Sequence, residues 1–136
     1  MAATTNTQNF FRVLLALILL LAGASHLTIA RVTFQAQVPN WVPLSPDFVV
    51  VASGIVEILL GLALLFWVSK LRMVGWITAI YFLCIFPGNL AQYMNHRDAF
   101  GLNSDSARFV RLLFHPILII WPLWCTGILK RQIPNT

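Results

Sequence analysis

Charge is what this sequence has least of: 10% of its 136 residues are Asp, Glu, Lys or Arg, and only four are acidic. That scarcity excludes the densely charged surface of an ordinary soluble domain. Cysteine is nearly absent too. Cys84 and Cys125 lie in different apolar runs, and no CxxC, CxxH or HExxH spacing occurs, which excludes a motif-encoded metal or dithiol site. There is no glycine-rich phosphate loop and no nucleophile–base constellation, so the reading leans against independent catalytic turnover. The nine basic residues stand between apolar runs and form no block, which excludes a nucleic-acid footprint and suits membrane topology instead.

What the sequence has is apolar length. Hydrophobic residues make up 59% of the chain, and the mean hydropathy is +0.81. These values predict an all-α membrane protein with one transmembrane domain over residues 1–136. Its architecture is expected to be an antiparallel bundle of four transmembrane helices, about 10–30, 48–68, 73–94 and 109–129, with a proline-rich loop between the first two. Trp41, Trp67, Trp76, Trp121 and Trp124 fall near span ends, where indoles favour the interface.

The second span, FVVVASGIVEILLGLALLFWV, carries the one acid inside an apolar run. At the helical rise Glu57 lies about 14 Å along from Phe48, near the middle of a hydrocarbon layer about 30 Å thick. A carboxylate at that depth is costly, needs a partner or a proton, and usually faces the protein interior. Ser53, Glu57 and Gly61 recur every four residues on one face with Gly54 beside it, so Gly54 and Gly61 are expected as helix-packing positions. Such a face reads either as a pocket carrying a functional acid or as a packing seam with a hydrogen-bonded, protonated Glu57.

Other spans supply polar groups at comparable depth. Residues Met1 to Asn9 read as a mobile leader to the first helix. Ala22-Gly23-Ala24 resembles a signal cleavage site, but cleavage would discard His26, and the segment is read as a retained span. His26 sits near the far end of that span, either as interfacial polarity or as a pocket group. Pro39, Pro43 and Pro46 exclude a continuous helix in the connection that follows; its Val38, Trp41, Val42 and Leu44 predict a lid folded over the bundle mouth. The short basic link Ser69 to Arg72 predicts an antiparallel hairpin of the second and third spans. Pro87-Gly88-Asn89 predicts a kink or unwound turn where Asn89 either faces the bundle or caps the helix, and Cys84 reads as core. Arg111 and His115 share a face of the fourth span, which Pro116 and Pro122 are expected to bend.

Alternating spans place His26, Ser53, Glu57, Asn89, Arg111 and His115 in one half of the membrane, the expected ligand pocket. Of the basic residues, Arg12, Lys70, Arg72, Lys130 and Arg131 fall on the amino-terminal side, against Arg31, Arg97, Arg108 and Arg111 on the other, so N-in/C-in topology is preferred. A haem held by His26 and His115 is not specified by spacing.

Five segments, AGASH (22–26), VPNWVP (38–43), SGIVEILLGLALL (53–65), FPGNLAQYM (86–94) and RLLFHPILIIW (111–121), resemble the motif series of the DoxX-like family of small membrane proteins. The resemblance implies a four-helix membrane bundle and carries the family's polar positions onto His26, Glu57, Asn89 and Arg111. It implies glutamine where this chain has His115, a departure from the pattern. It also implies association with quinone-linked sulfur oxidation, redox-stress complexes or assembly of other membrane proteins. The expected function is a small membrane subunit within a larger, redox-associated assembly, with a pocket around Glu57 for a quinone-like or lipid-like molecule. The alternative is a non-enzymatic assembly factor or structural subunit whose polar cluster only stabilises the bundle. The expected partners are the lipid bilayer and other membrane-protein subunits, with no nucleic acid, no metal and no obligatory cofactor.

Overall fold

The first helix starts earlier than a polar leader would allow, because Thr5 and Gln8 close a capping box. The backbone N–H of Gln8 donates to Thr5 Oγ1 at 3.1 Å, and that of Thr5 donates to Gln8 Oε1 at 2.9 Å. In this computed structural model residues 4–29, 31, 35, 38–39, 41–94 and 105–129 are described, with residues 89, 91–93, 105 and 108 described by backbone alone. Four helices account for nearly all of them: α1 (Asn6–Leu27), α2 (Pro46–Phe66), α3 (Leu71–Met94) and α4 (Asp105–Cys125), with a short 3₁₀ turn at Val68–Lys70. No strand occurs among the described residues.

Each helix end has a local cause. The Thr28 hydroxyl donates to the Ala24 carbonyl, satisfying an acceptor in the last turn of α1, and the Ser25 hydroxyl bonds back to the Leu21 carbonyl one turn earlier. Ser45 caps α2 by accepting from the Phe48 N–H at 3.2 Å, and Pro46 follows at the first helical position, where its missing N–H costs nothing. Gly127, at φ 81°, ends α4 in a Schellman turn: Ile128 N–H donates to Leu123 O at 3.0 Å and Gly127 N–H to Trp124 O at 3.1 Å. α3 stays helical through Pro87 to Met94, so the expected unwound turn does not open. Proline removes a single ladder bond there, a loss that neighbouring helices accommodate.

Segments Asn6–Leu27, Pro46–Phe66 and Val68–Gly88 are long and apolar enough to cross a membrane, whereas the apolar part of α4, Phe109–Cys125, is shorter. Large apolar side chains cover their outer faces; Leu21, Leu59, Leu83 and Leu113 are all more than half exposed. Inside, Leu15, Leu19, Leu64, Val74, Phe82 and Cys125 form one buried cluster.

α1 packs chiefly on α2, and α3 chiefly on α4. The α2–α3 hairpin expected from its short link therefore shares little surface, because chain proximity at a turn does not set which helix faces match. The α1–α2 seam is built from small residues: a Cβ on Gly23 would stand 2.6 Å from Gly54 O, and one on Gly61 would stand 2.9 Å from Ala16 O. Val50, Gly54, Glu57, Gly61 and Leu64 form the buried row of α2, so the carboxylate lies on the face with the glycines. On α3 the buried row is Val74, Thr78 and Phe82. Cys84, two residues further and so on the opposite face, is exposed and not core.

At the other end of the seam Gln8 Nε2 donates to Trp124 O at 2.8 Å, Trp121 Nε1 donates to Phe11 O at 3.1 Å, and Arg12 donates to Leu64 O near the end of α2. These bonds tie α1 to α4 and to α2. The residues read as a mobile leader thus include a buried anchor, Gln8.

Candidate functional pocket around Glu57

Glu57 is 4% exposed, and its two carboxylate oxygens face two different helices. Oε1 accepts from the phenol of Tyr81 on α3 at 2.8 Å. Oε2 stands 2.8 Å from Nδ1 of His26 on α1, itself 7% exposed. The two atoms stand at ion-pair distance but do not meet the geometry of a hydrogen bond. A buried carboxylate that engages a neighbour at each oxygen is compatible with a low-dielectric interior, where a lone charge is not.

The row of small residues explains why His26 can come so close. Gly54 lies one turn before Glu57, and a Cβ there would stand 2.8 Å from His26 Cβ. Any larger residue at position 54 would push the imidazole off the carboxylate.

These groups border a cavity of about 440 Å³, a size suited to one small ligand. His26, Ser53, Glu57, Arg111 and His115 all line it. So does Tyr81, together with apolar residues such as Leu19, Val50, Ile85 and Leu118. Ser53 donates to Val50 O at 2.9 Å. His115 is 1% exposed and stands with Nε2 2.5 Å from Phe82 O, a position that joins α4 to the α3 backbone. Arg111 lies one turn from His115 and brings a permanent cation to the cavity wall. Asn89 lies on α3 just beyond Pro87 and Gly88, which line the cavity, but its side chain is outside the described residues. Among the described residues no three His, Cys, Asp or Glu side chains gather as a metal would require.

Part of the proline-rich connection also borders the cavity, through Val38, Pro39, Trp41 and Val42. Both ends of that connection are pinned. Arg31 Nε and Nη2 donate to the two oxygens of Asp47 at 2.6 and 2.5 Å, and Gln35 Nε2 donates to Asp47 Oδ1 at 3.2 Å. The Arg31–Asp47 pair is nearly half exposed, so its contribution to stability is small. Arg31→Ala is expected to change bundle stability by less than about 1 kcal/mol in thermal melting; a loss beyond about 2 kcal/mol would mean the loop carries part of the core.

A family model described as "Domain of unknown function (DUF8561)" matches residues 15–126. The chain belongs to the DUF8561 family. The DUF8561 match runs from mid-α1 to the turn after α4 and so takes in every cavity residue named above. No curated protein and no solved structure matches the chain.

Tyr81 lines the cavity of this DUF8561 chain but stands outside the ligand pocket expected from the sequence. Its signal was present: a phenol midway along an apolar span must find a hydrogen-bond partner.

Proposed function

We propose that this chain is an antiparallel bundle of four membrane spans, both termini on the cytoplasmic side, that binds one quinone-like or lipid-like molecule in the Glu57 cavity and works within a larger membrane assembly. One observation carries the reading. A mostly apolar cavity of about 440 Å³ is bordered by a buried carboxylate engaged by a histidine and a tyrosine from two other helices. Apolar walls suit the ring or chain of an amphipathic molecule, and a few convergent polar groups suit its oxygenated head. The connection from Arg31 to Asp47 would serve as the lid, which the lining by its described residues Val38, Pro39, Trp41 and Val42 supports. The redox association rests on the resemblance of the five motifs to DoxX-like proteins. The exposed apolar faces of all four helices supply area for lipid and for partner subunits.

Gentle purification from the native membrane, in parallel with Glu57→Gln, tests this reading. Mass spectrometry of proteins and lipids is expected to find a near-stoichiometric amphipathic molecule and at least one membrane subunit with the wild type, and less of the small molecule with the variant. A stoichiometric subunit with no bound small molecule would instead make the chain an assembly or structural subunit whose polar cluster stabilises the bundle. A bundle that comes out alone and turns over a soluble substrate would contradict both.

A further inference from the structure

The faces that α1 and α4 turn toward each other change character along their length. At one end they are shut: the Phe11 ring packs against Trp121 and Trp124 with centroids 6.1 and 5.5 Å apart, and Trp121 Nε1 donates to Phe11 O at 3.1 Å. Ile18 follows Phe11 by two helical turns, and Phe114 precedes Trp121 by two, so each shares a face with its shut counterpart. Both line the Glu57 cavity. Both are also open to the outside, Ile18 at 42% and Phe114 at 60% exposure. A side chain that borders a cavity and the outer surface at once marks an opening between the two. The α1–α4 seam, shut at the Phe11 ring, therefore stands open two turns further along. Ala22, one turn beyond Ile18, lines the cavity as well, and its single methyl does little to fill the gap.

The height of this opening decides what can pass through it. Ile18 lies about 18 Å along α1 from Asn6, close to the midpoint of a 22-residue helix that is long and apolar enough to cross a membrane. In a bilayer the opening faces hydrocarbon and not water. Its outer surroundings agree, since Leu14 and Leu17 on α1 and Val110 and Ile117 on α4 are exposed apolar side chains. Size adds a second constraint. At about 440 Å³ the cavity lies in the lower part of the usual range for ligand pockets, about 300–1,000 Å³, which gives room for a head group but not for a long chain besides.

We propose that the cavity opens sideways into the bilayer between α1 and α4, and that its occupant is a long-tailed amphipath that enters head first and leaves its tail in the lipid between Ile18 and Phe114. This rests on the pocket reading above and deepens it, by fixing the route of entry and by requiring a tail. The head reaches the polar wall formed by Ser53, Glu57 and Tyr81, while the tail stays in the hydrocarbon it occupied before binding and pays no transfer into water. The other route, through the mouth beside the half-buried and exposed loop residues Val42 and Trp41, would admit a solute from water and needs no tail.

The test uses the full chain in lipid nanodiscs and two photoreactive forms of one fully substituted, decyl-tailed benzoquinone, one with an azide on the ring and one with a diazirine on the last tail carbon. Adducts are mapped by peptide mass spectrometry. Ring adducts are expected on the cavity wall at Tyr81 and Ile85, and tail adducts at Ile18, Phe114, Leu17 and Ile117, about tenfold above those at Leu59 and Leu83 on other outer faces. An excess of the same quinone without its tail should displace both sets, because the tail is placed by the head. Ile18→Trp adds bulk at an exposed position and is expected to cut both sets about tenfold with unchanged melting, whereas Leu59→Trp, on the outer face of α2, should leave them as in the wild type. Tail adducts at Trp41 and Val42, tail adducts spread evenly over the outer faces or not displaced by the tailless quinone, or full labelling in Ile18→Trp overturn the inference, and with ring adducts still on the cavity wall they leave the pocket reading standing. Absence of ring adducts from that wall overturns the pocket reading together with the inference.

Discussion

Glu57→Leu is expected to cost about 3 kcal/mol of bundle stability, several times more than the loss of an average interhelical hydrogen bond in a membrane, about 0.6 kcal/mol. The difference comes from what the substitution leaves behind. Leucine fills the volume but strands the Tyr81 hydroxyl and the His26 imidazole, which both engage the carboxylate now. Unmet partners of a buried charge carry most of the penalty. Glu57→Gln keeps an acceptor and supplies a donor, so its cost should stay near about 1 kcal/mol. Tyr81→Phe should fall between about 0.6 and 1.7 kcal/mol, the usual range for one interhelical bond. The double variant Glu57→Leu with Tyr81→Phe should recover part of the loss, because the stranded hydroxyl is gone. Thermal or denaturant unfolding in mild detergent measures all four, and equal costs for Leu and Gln at position 57 would remove the carboxylate from its central place.

Gly54→Leu is expected to prevent α1 and α2 from closing. The first added carbon would meet His26 Cβ at 2.8 Å and Gly23 O at 2.9 Å, and the second of these is backbone that cannot rotate away. Overpacking ordinarily costs about 1–3 kcal/mol, and a clash with a facing helix backbone belongs at or beyond the upper end. Gly61→Leu meets a similar wall at Ala16 O, 2.9 Å, but also Leu20 Cγ at 2.8 Å, a side chain with some room to move. Its effect should be smaller. Position 54 should also affect the site, because the displaced element carries His26; Gly54→Ala is expected to lose cavity-ligand affinity before it loses the fold. Melting by size-exclusion chromatography with fluorescence detection checks the order Gly54→Leu, Gly61→Leu, Gly54→Ala. Unchanged melting of Gly54→Leu would contradict the seam.

The glycines and the acid were legible in the sequence for the same reason: their spacing of three and four residues fixes a shared helix face whatever lies opposite. Height along each helix was legible too, since rise per residue converts sequence position to distance along the axis. Neighbours were not. Tyr81 stands on the helix after α2, yet nothing in a periodic pattern says that its phenol meets Oε1. The short link at Ser69–Arg72 predicted a hairpin of α2 and α3 but not which faces pack, and the small-residue row of α2 met that of α1, where glycine faces glycine. The amino-terminal residues misled through polarity: Thr5 and Gln8 are polar because they cap a helix, and Gln8 also reaches the Trp124 carbonyl. Cys84 misled through composition, since an apolar run on a membrane helix is apolar all round and does not mark its buried side.

Photo-cross-linking in native membranes tests most directly the claim that an amphipathic molecule occupies the cavity under the Glu57 cluster. An azido-quinone probe is expected to label the loop residues Trp41 and Val42 and, on α3, Tyr81, Ile85 and Gly88, all on the cavity wall, and this labelling should drop sharply in a folded Glu57→Gln chain. Labelling spread evenly over the outer residues Leu21, Leu59 and Leu113, and unchanged in Glu57→Gln, would contradict it.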